Sequence, residues 1–326
     1  MAVLVLVEHV GGTADDVSRQ ALALARGYAE AAGQPLEAVL IGAGADQAAA
    51  GLGDLGVQTA HVAVHDGLSA YAPQAWGRTL ADLVERLAPV ALIAPGSERA
   101  TEAMAHAAAI ADLPLAANCI EAAPGDPATV TRLRWGGSLL EQARLHGAVK
   151  LFTVAPHMVE ATAASAAVQT TVAEFTPALT DADLAVRVVE RAQTDSGGGI
   201  SLADAKVVVS GGRGTGSAEG FAPVEALAAA LGGAVGCSRA VTIAGWRPHT
   251  DQVGQTGTKI APEIYIPCGI SGATQHMAGC KGAKRILAIN TDPDAPIVAN
   301  ADYAVIGDLH EVLPAITAAI AKARGG

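Results

Sequence analysis

Lys206-Val207-Val208-Val209-Ser210 runs directly into Gly211-Gly212-Arg213-Gly214, and a stretch with helical spacing follows over residues 219–231. A continuous apolar run of strand length is typical of a parallel strand buried on both faces. A glycine-rich turn between such a strand and a helix lets backbone N–H groups approach an anion, and the helix dipole favours the anion there. Arg213 adds charge, or a guanidinium plane that stacks on a ring. The stretch has neither the G-x-G-x-x-G spacing of a dinucleotide fingerprint nor the Gly-Lys-Ser/Thr of a Walker loop. Taken alone, an ordinary strand-to-helix turn explains it equally well.

Downstream the same unit recurs. Residues 264–266 read as a strand feeding Gly269-Ile270-Ser271-Gly272 and a short helix, and residues 285–289 as a strand ending at Asn290. Tyr303–Ile306 reads as a strand ending near Asp308, and Leu309–Arg324 as a long terminal helix. In open α/β sheets, functional residues collect at the carboxyl ends of the strands. Arg213, Ser271, Asn290 and Asp308 all fall at such ends, which points to a ligand in this half. Ser271 is placed to cap the short helix, and His276 follows about one turn further in. Gly254-Gln255-Thr256-Gly257 offers an amide and a hydroxyl beside a backbone free to approach a ligand, although a surface turn has the same composition. Asn290-Thr291-Asp292-Pro293-Asp294-Ala295-Pro296 is rich in turn formers, and turn chemistry accounts for all of it except Asn290, which ends a buried strand. Asp308 either caps the terminal helix or accepts from a ribose hydroxyl.

Upstream, Met1-Ala2-Val3-Leu4-Val5-Leu6-Val7-Glu8 is a strand; it has no basic leader and reaches an acid at Glu8. Asp15-Asp16 begin a helix with Val17, Ala21, Leu24 and Tyr28 on one face, and Gly33 and Pro35 end it. Strands over Leu36–Ile41, 60–64 and 89–95 alternate with helices over 80–87 and Glu98–Ala111, so an α/β sheet with right-handed crossovers is expected. After Leu113 the pattern changes. Residues 129–135, Lys150–Val154, 168–175 and 184–190 are β-rich, with no long helix between them, and predict an antiparallel or mixed annex on the first sheet. Residues 193–199, Gln-Thr-Asp-Ser-Gly-Gly-Gly, make the best linker. Two domains are expected, 1–193 and 200–326, the second a doubly wound parallel sheet.

Composition narrows the function. With 51% hydrophobic and 16% charged residues, the chain has ample material for a core and is not disordered. Aromatics are only 3%, so that core is aliphatic. A net charge of −11 argues against a nucleic-acid partner, and no apolar run reaches the ~18 residues a membrane span needs. The charge is uneven: acids exceed bases by ten over residues 1–194 and by one over 195–326, which leaves the second half the better host for an anion. Cys119, Cys237, Cys268 and Cys280 form no CxxC pair, so reduced, buried thiols in a cytosolic protein are expected. The histidines show no H-E-x-x-H spacing and no triad order, so neither a metal nor a hydrolase is expected.

Taken together, residues 206–324 resemble the FAD domain of the electron transfer flavoprotein alpha-subunit family. The strings that carry the resemblance are Val209-Ser210-Gly211-Gly212-Arg213-Gly214, Gly236-Cys237-Ser238-Arg239-Ala240, Gln252-Val253-Gly254-Gln255-Thr256-Gly257, Gly269-Ile270-Ser271-Gly272-Ala273-Thr274-Gln275-His276 and Ile289-Asn290-Thr291-Asp292-Pro293-Asp294-Ala295-Pro296-Ile297. Residues 1–190 agree in length, in the opening strand and in Leu151-Phe152-Thr153-Val154. The resemblance implies non-covalent FAD and a heterodimer with a smaller beta subunit, which the N-terminal domain contacts. It implies a cytoplasmic electron carrier of fatty acid beta-oxidation that takes electrons from flavin dehydrogenases such as acyl-CoA dehydrogenases and passes them to a membrane quinone oxidoreductase. It places Arg213 beside the isoalloxazine, Ser238 and Arg239 near the ring, and Val253, Gly254, Gln255 and Thr256 in the loop at the hydride-accepting nitrogen. Ser271, Gly272, Ala273, Thr274, Gln275 and His276 wrap the cofactor, with His276 near the pyrimidine carbonyl. Asn290 and Asp308, with Leu309 beside it, match contacts to the ADP part. Pro267-Cys268 and Cys280 depart from the family's usual residues without removing a polar contact. An electron-bifurcating member of the same family, and a nucleotide-binding module without redox chemistry, are the other readings.

Overall fold

The computed structural model describes residues 1–137, 139–189 and 200–324. The linker expected at 193–199 lies outside the described residues. The chain divides into two compact units, Met1–Arg191 and Ala192–Gly326.

In the first unit the chain runs β1 Val3–Val7, β2 His9–Val10, β3 Thr13–Ala14, α1 Asp16–Ala32, β4 Leu36–Ile41, α2 Ala45–Ala50, β5 Thr59–Ala63, α3 Pro73–Leu87, β6 Ala91–Pro95 and α4 Glu98–Ala111. It continues through β7 Leu115–Ala123, β8 Ala128–Arg134, β9 Leu139–Leu145, β10 Lys150–Val154 and β11 Thr171–Phe175. Nine of these strands form one sheet in the order β11-β5-β4-β1-β6-β10-β7-β8-β9. All pairings up to β10–β7 are parallel, and β7–β8 and β8–β9 are antiparallel. β1 explains why the opening run is apolar at every position. Val3, Val5 and Val7 enter a core beneath α1 and α2, while Leu4 and Leu6 enter a second core beneath α3 and α4. Asp15 caps α1 by accepting from Ser18 N at 2.8 Å, and Gly33 closes it in the left-handed region at φ +62°. The buried face of α1 is Ala21, Leu22, Ala25, Tyr28 and Ala29. Val17 and Leu24, predicted on that face, are half-buried at its margin.

The predicted annex is present but narrower. It consists of β7, β8 and β9. Lys150–Val154 is not part of it: β10 lies inside the main sheet, parallel to both β6 and β7, with all five residues buried. β11 is a parallel edge strand on β5. Residues 184–189 form the end of a turn, a bend and irregular chain, and no strand.

In the second unit the order is β12 Val207–Gly211, α5 Ala222–Leu231, β13 Ala234–Cys237, α6 Arg239–Ile243, β14 Ile264–Cys268, α7 Thr274–Cys280, β15 Leu287–Asn290, α8 Pro296–Ala299, β16 Tyr303–Ile306 and α9 Leu309–Arg324. The sheet is wholly parallel, in the order β13-β12-β14-β15-β16. α5 and α9 cover Val209, Ile266, Cys268 and Ile289 on one face, and Val208, Tyr265 and Ile286 enter a separate core with Cys280 of α7. This is the doubly wound α/β class expected from the sequence. Its strand order reverses direction between β12 and β14, where such folds open a crevice. One irregularity lies beside that crevice. Tyr265 N and Gly269 N donate to the carbonyls of Arg285 and Ile289 at 2.8 Å each, and Pro267 between them has no N–H to give.

Phe152 of β10 is fully buried and lies 5.6 Å from the Tyr28 ring, centroid to centroid. Phe152→Ala is expected to cost the first unit about 3–5 kcal/mol. A urea titration followed by circular dichroism measures this, and an unchanged midpoint would show that β10 is not a core strand.

Candidate functional site

A cavity of about 390 Å³ opens at the carboxyl ends of β12, β13, β14 and β15. That lies within the range of small-molecule sites, ~300–1,000 Å³. Its position follows from the glycines that end β12 and β14. Gly212 N donates to Cys268 O at 2.9 Å and Gly214 N to Gly269 O at 3.1 Å, so the two loops lie backbone against backbone. A Cβ on Gly212 would stand 2.1 Å from Gly269 O, and one on Gly214 would stand 2.7 Å from Gly269 Cα. No side chain fits there, and a turn without side chains leaves a floor a ligand can approach.

The cavity wall brings together most of the predicted site. Arg213 and Gly214 follow β12; Ser238, Arg239 and Ala240 follow β13; Gly269, Ile270, Ser271, Gly272 and Ala273 follow β14. Gln252, Val253, Gly254, Gln255 and Thr256 form one flank, with Gln275 and His276 of α7 beside them; Asn290, Thr291, Asp292 and Ala295 complete the wall. Thr274, Asp308 and Leu309 are not on it. Asp308 caps α9, its Oδ1 accepting from His310 N at 2.9 Å, and Leu309 is buried in the core under α5 and α9. The capping alternative for Asp308 is therefore the one the structure shows. Ser271 does not cap α7. The capping position is Ala273, without a side-chain bond, and Ser271 lies on the exposed turn with its carbonyl accepting from Ile297 N at 3.1 Å.

Gln252 lies on the wall, although the sequence reading does not place it in the site. It is 2% exposed and bridges two hydroxyls, Thr242 Oγ1 at 2.7 Å and Thr256 Oγ1 at 3.0 Å. It therefore holds the exposed Thr256 in place. Asn290 is similarly engaged: its Nδ2 donates to Ile270 O at 2.8 Å and its Oδ1 accepts from Asp292 N at 3.1 Å. It ties β15 to the loop after β14. Glycine and amide residues of this kind carry no sequence signal of their own role, because the partner lies on another element.

The electrostatics are simple. Arg213 and Arg239 are both exposed, and neither forms an ion pair among the described residues. Two cations outside any ion pair thus line one cavity, against the single carboxylate of Asp292, and favour an anion. His276 contributes differently. Burial pushes its imidazole down to about 4, against a smaller opposing pull from the Val253 carbonyl, so the ring is neutral at pH 7. Its Nε2 lies 2.7 Å from the Tyr265 hydroxyl, and its Nδ1 is buried without a hydrogen bond. An orphaned polar atom in the wall of a cavity is what a ligand's polar edge would satisfy. All four cysteines are buried and free, with burial raising each thiol, and no group of metal-ligating side chains is present among the described residues. Among the described residues no helix is long and apolar enough to cross a membrane.

His276 makes stability pH-dependent. Unfolded, it takes a proton near pH 6.5; folded, only near 4. Its contribution is thus complete above pH 6.5 and is lost as the pH falls toward 4, by up to about 3 kcal/mol. Chemical denaturation between pH 7 and 4 is expected to show that slope, and His276→Gln to flatten it. Equal slopes in both proteins would place the imidazole in water.

With the geometry described, comparison with known proteins identifies the relatives. Residues 3–180 match the family described as electron transfer flavoprotein domain, and residues 201–281 match the electron transfer flavoprotein FAD-binding domain. The chain is 38% identical over 325 residues to the electron transfer flavoprotein subunit alpha of Mycobacterium leprae, covering 99% of each chain. It is 34% identical to the subunit of the same name from Megasphaera elsdenii, covering 99% of this chain and 97% of that one. It is 35% identical to Protein FixB of Clostridium saccharobutylicum, covering 97% and 95%. The site fits the cofactor of this domain family, FAD: the glycine floor admits a ring and a phosphate chain, the two free arginines suit its charge, and the orphaned Nδ1 suits a ring heteroatom. The chain belongs to the electron transfer flavoprotein alpha-subunit family.

Proposed function

We propose that this chain is the FAD-holding subunit of a heterodimeric electron carrier. A beta subunit completes it in the cytoplasm. It takes electrons from flavin dehydrogenases such as acyl-CoA dehydrogenases and delivers them to a membrane quinone oxidoreductase, in fatty acid beta-oxidation. The observation that carries this reading is the cavity at the reversal of strand order, lined by two cations without counter-ions and one neutral, buried imidazole.

Bound FAD supplies the redox chemistry, and the protein tunes its potential and its exposure. Arg213, Arg239, Gln255, Thr256, Ser271 and His276 would hold its ring, and Asn290 orders the loop beside it. Arg239, at the start of α6, places a positive charge on the wall and favours negative charge on the occupant. Gln252 fixes the Thr256 hydroxyl, so that contact is set before the ligand arrives. Val253 and Gly254 let the chain approach closely: Gly254 has φ +148°, and a Cβ there would stand 3.2 Å from Gln275 O.

A surface of the first unit supports the beta subunit as partner. The β8–β9 hairpin turns at Trp135, which is 80% exposed, and Leu139 and Leu140 follow at 55% and 67%. Exposed large apolar side chains clustered at one hairpin tip are costly in water and suit a protein interface.

The reading is tested by co-expression with the beta subunit. A yellow complex with flavin absorption bands, bleached by an acyl-CoA dehydrogenase with its substrate, supports it; a complex that stays colourless after incubation with FAD overturns it. Arg239→Ala is expected to lower the flavin potential by on the order of 50 mV, the equivalent of roughly 1 kcal/mol for one electron. Redox titration measures this, and unchanged potentials would remove Arg239 from the role. Leu140→Asp is expected to weaken association with the beta subunit about tenfold or more in sedimentation velocity while leaving the thermal midpoint of the isolated chain unchanged.

A further inference from the structure

Tyr265 is the partner of His276 and does not itself line the cavity. It lies on β14, is wholly buried, and places its hydroxyl 2.7 Å from Nε2 of His276. The two rings are tilted by 31° with centroids 6.1 Å apart, so the contact is through their polar tips and not a stack. Neither residue is required by packing alone to be polar: Val208, Ile260 and Ile286 share the same core. Burial keeps both neutral, raising the phenol and lowering the imidazole.

Two neutral groups at this distance share one hydrogen. A phenol is the better donor and the poorer acceptor, and the bare nitrogen of a neutral imidazole is the better acceptor. The hydroxyl therefore donates to Nε2. The imidazole's own proton must then sit on Nδ1, because the hydrogen bond at one ring nitrogen decides the state of the other. Nδ1 has no protein partner at good hydrogen-bond geometry, the Val253 carbonyl being the backbone group that acts on the ring. On the phenol's other side, Ser210 Oγ of β12 is buried near the same oxygen and can donate back to it, which strengthens the phenol as a donor.

We propose that Tyr265 is a positioning residue: by donating to Nε2 it locks His276 in the Nδ1–H tautomer, so that the cavity offers a neutral N–H donor to an acceptor atom of the bound ring. This rests on the reading of the cavity as the flavin site. Without the phenol the imidazole is free to move its proton to Nε2, and the wall then shows the ring an acceptor lone pair where a donor is needed. An acceptor facing an acceptor disfavours the occupant as it gains electrons, so the loss falls on the reduced cofactor more than on the oxidised one.

The test uses the alpha–beta complex with FAD, labelled with ¹⁵N-histidine, as wild type, Tyr265→Phe and Ser210→Ala. Long-range ¹H–¹⁵N spectra are expected to show His276 of the wild type protonated on Nδ1 alone, and that of Tyr265→Phe averaged between tautomers. Tyr265→Phe is also expected to lose about tenfold in preference for reduced over oxidised flavin, which is about 30 mV for a two-electron couple. Ser210→Ala is expected to keep the tautomer. An Nε2–H signature in the wild type, or an unshifted tautomer and potential in Tyr265→Phe, overturns the proposal. Should Tyr265→Phe not fold, the wild-type spectrum still decides the tautomer. A complex that binds no FAD but shows the Nδ1–H signature overturns the flavin reading, and leaves the Tyr265 lock standing as a property of the empty wall.

Discussion

Two loops meet at glycines with backbone against backbone, and the cavity of the second unit depends on it. Gly212 and Gly214 press against Gly269 at distances no methyl group would survive, and their N–H groups bond across the gap. That contact fixes the end of β12 against the end of β14 at the point where the strand order reverses. Arg213, flanked by those glycines, is exposed on the wall, and the segment from Ile270 to Ala273 runs around the opening before α7 starts. The cavity is the space left when two backbones occupy the place where side chains would otherwise meet.

Around that contact the protein arranges charge and neutrality on different walls. Arg213 and Arg239 are cations in contact with water, where a guanidinium costs little to keep ionised. His276 is nearly sealed from water, and there an ionised group would be expensive, so the residue stays neutral and acts through its N–H dipole. Arg239 and His276 therefore contribute differently: one supplies charge, the other a neutral polar ring.

The fold was largely legible in the sequence, for a physical reason. Parallel strands covered on both faces are apolar at every position, and β1, β6 and β12 announce themselves as such runs. The doubly wound class follows from the alternation of those runs with helices. What stayed hidden depends on pairing, which a linear pattern does not hold. Lys150–Val154 reads as one β-rich segment among several, yet it threads between β6 and β7. β7 and β9 carry exposed or half-exposed residues such as Glu121 and Glu141 and give only a weak signal. The short β13 is masked by its glycine. At the site, motif order located the loops, because turn chemistry is local. The roles of Gln252, Asn290 and Tyr265 were not readable, since each acts on a partner 4 to 20 positions away that only the fold brings near. Asp308 shows the opposite failure: a strand-end acid that its own helix consumes.

Pro267 has a mechanical consequence. By withholding one rung of the ladder it leaves Tyr265 N and Gly269 N to donate to the β15 side at either end of a gap. A molecule lodged in the cavity meets the loop after β14 on one side of the gap and Asn290, Thr291 and Asp292 on the other. It would bridge the two strands across the missing rung.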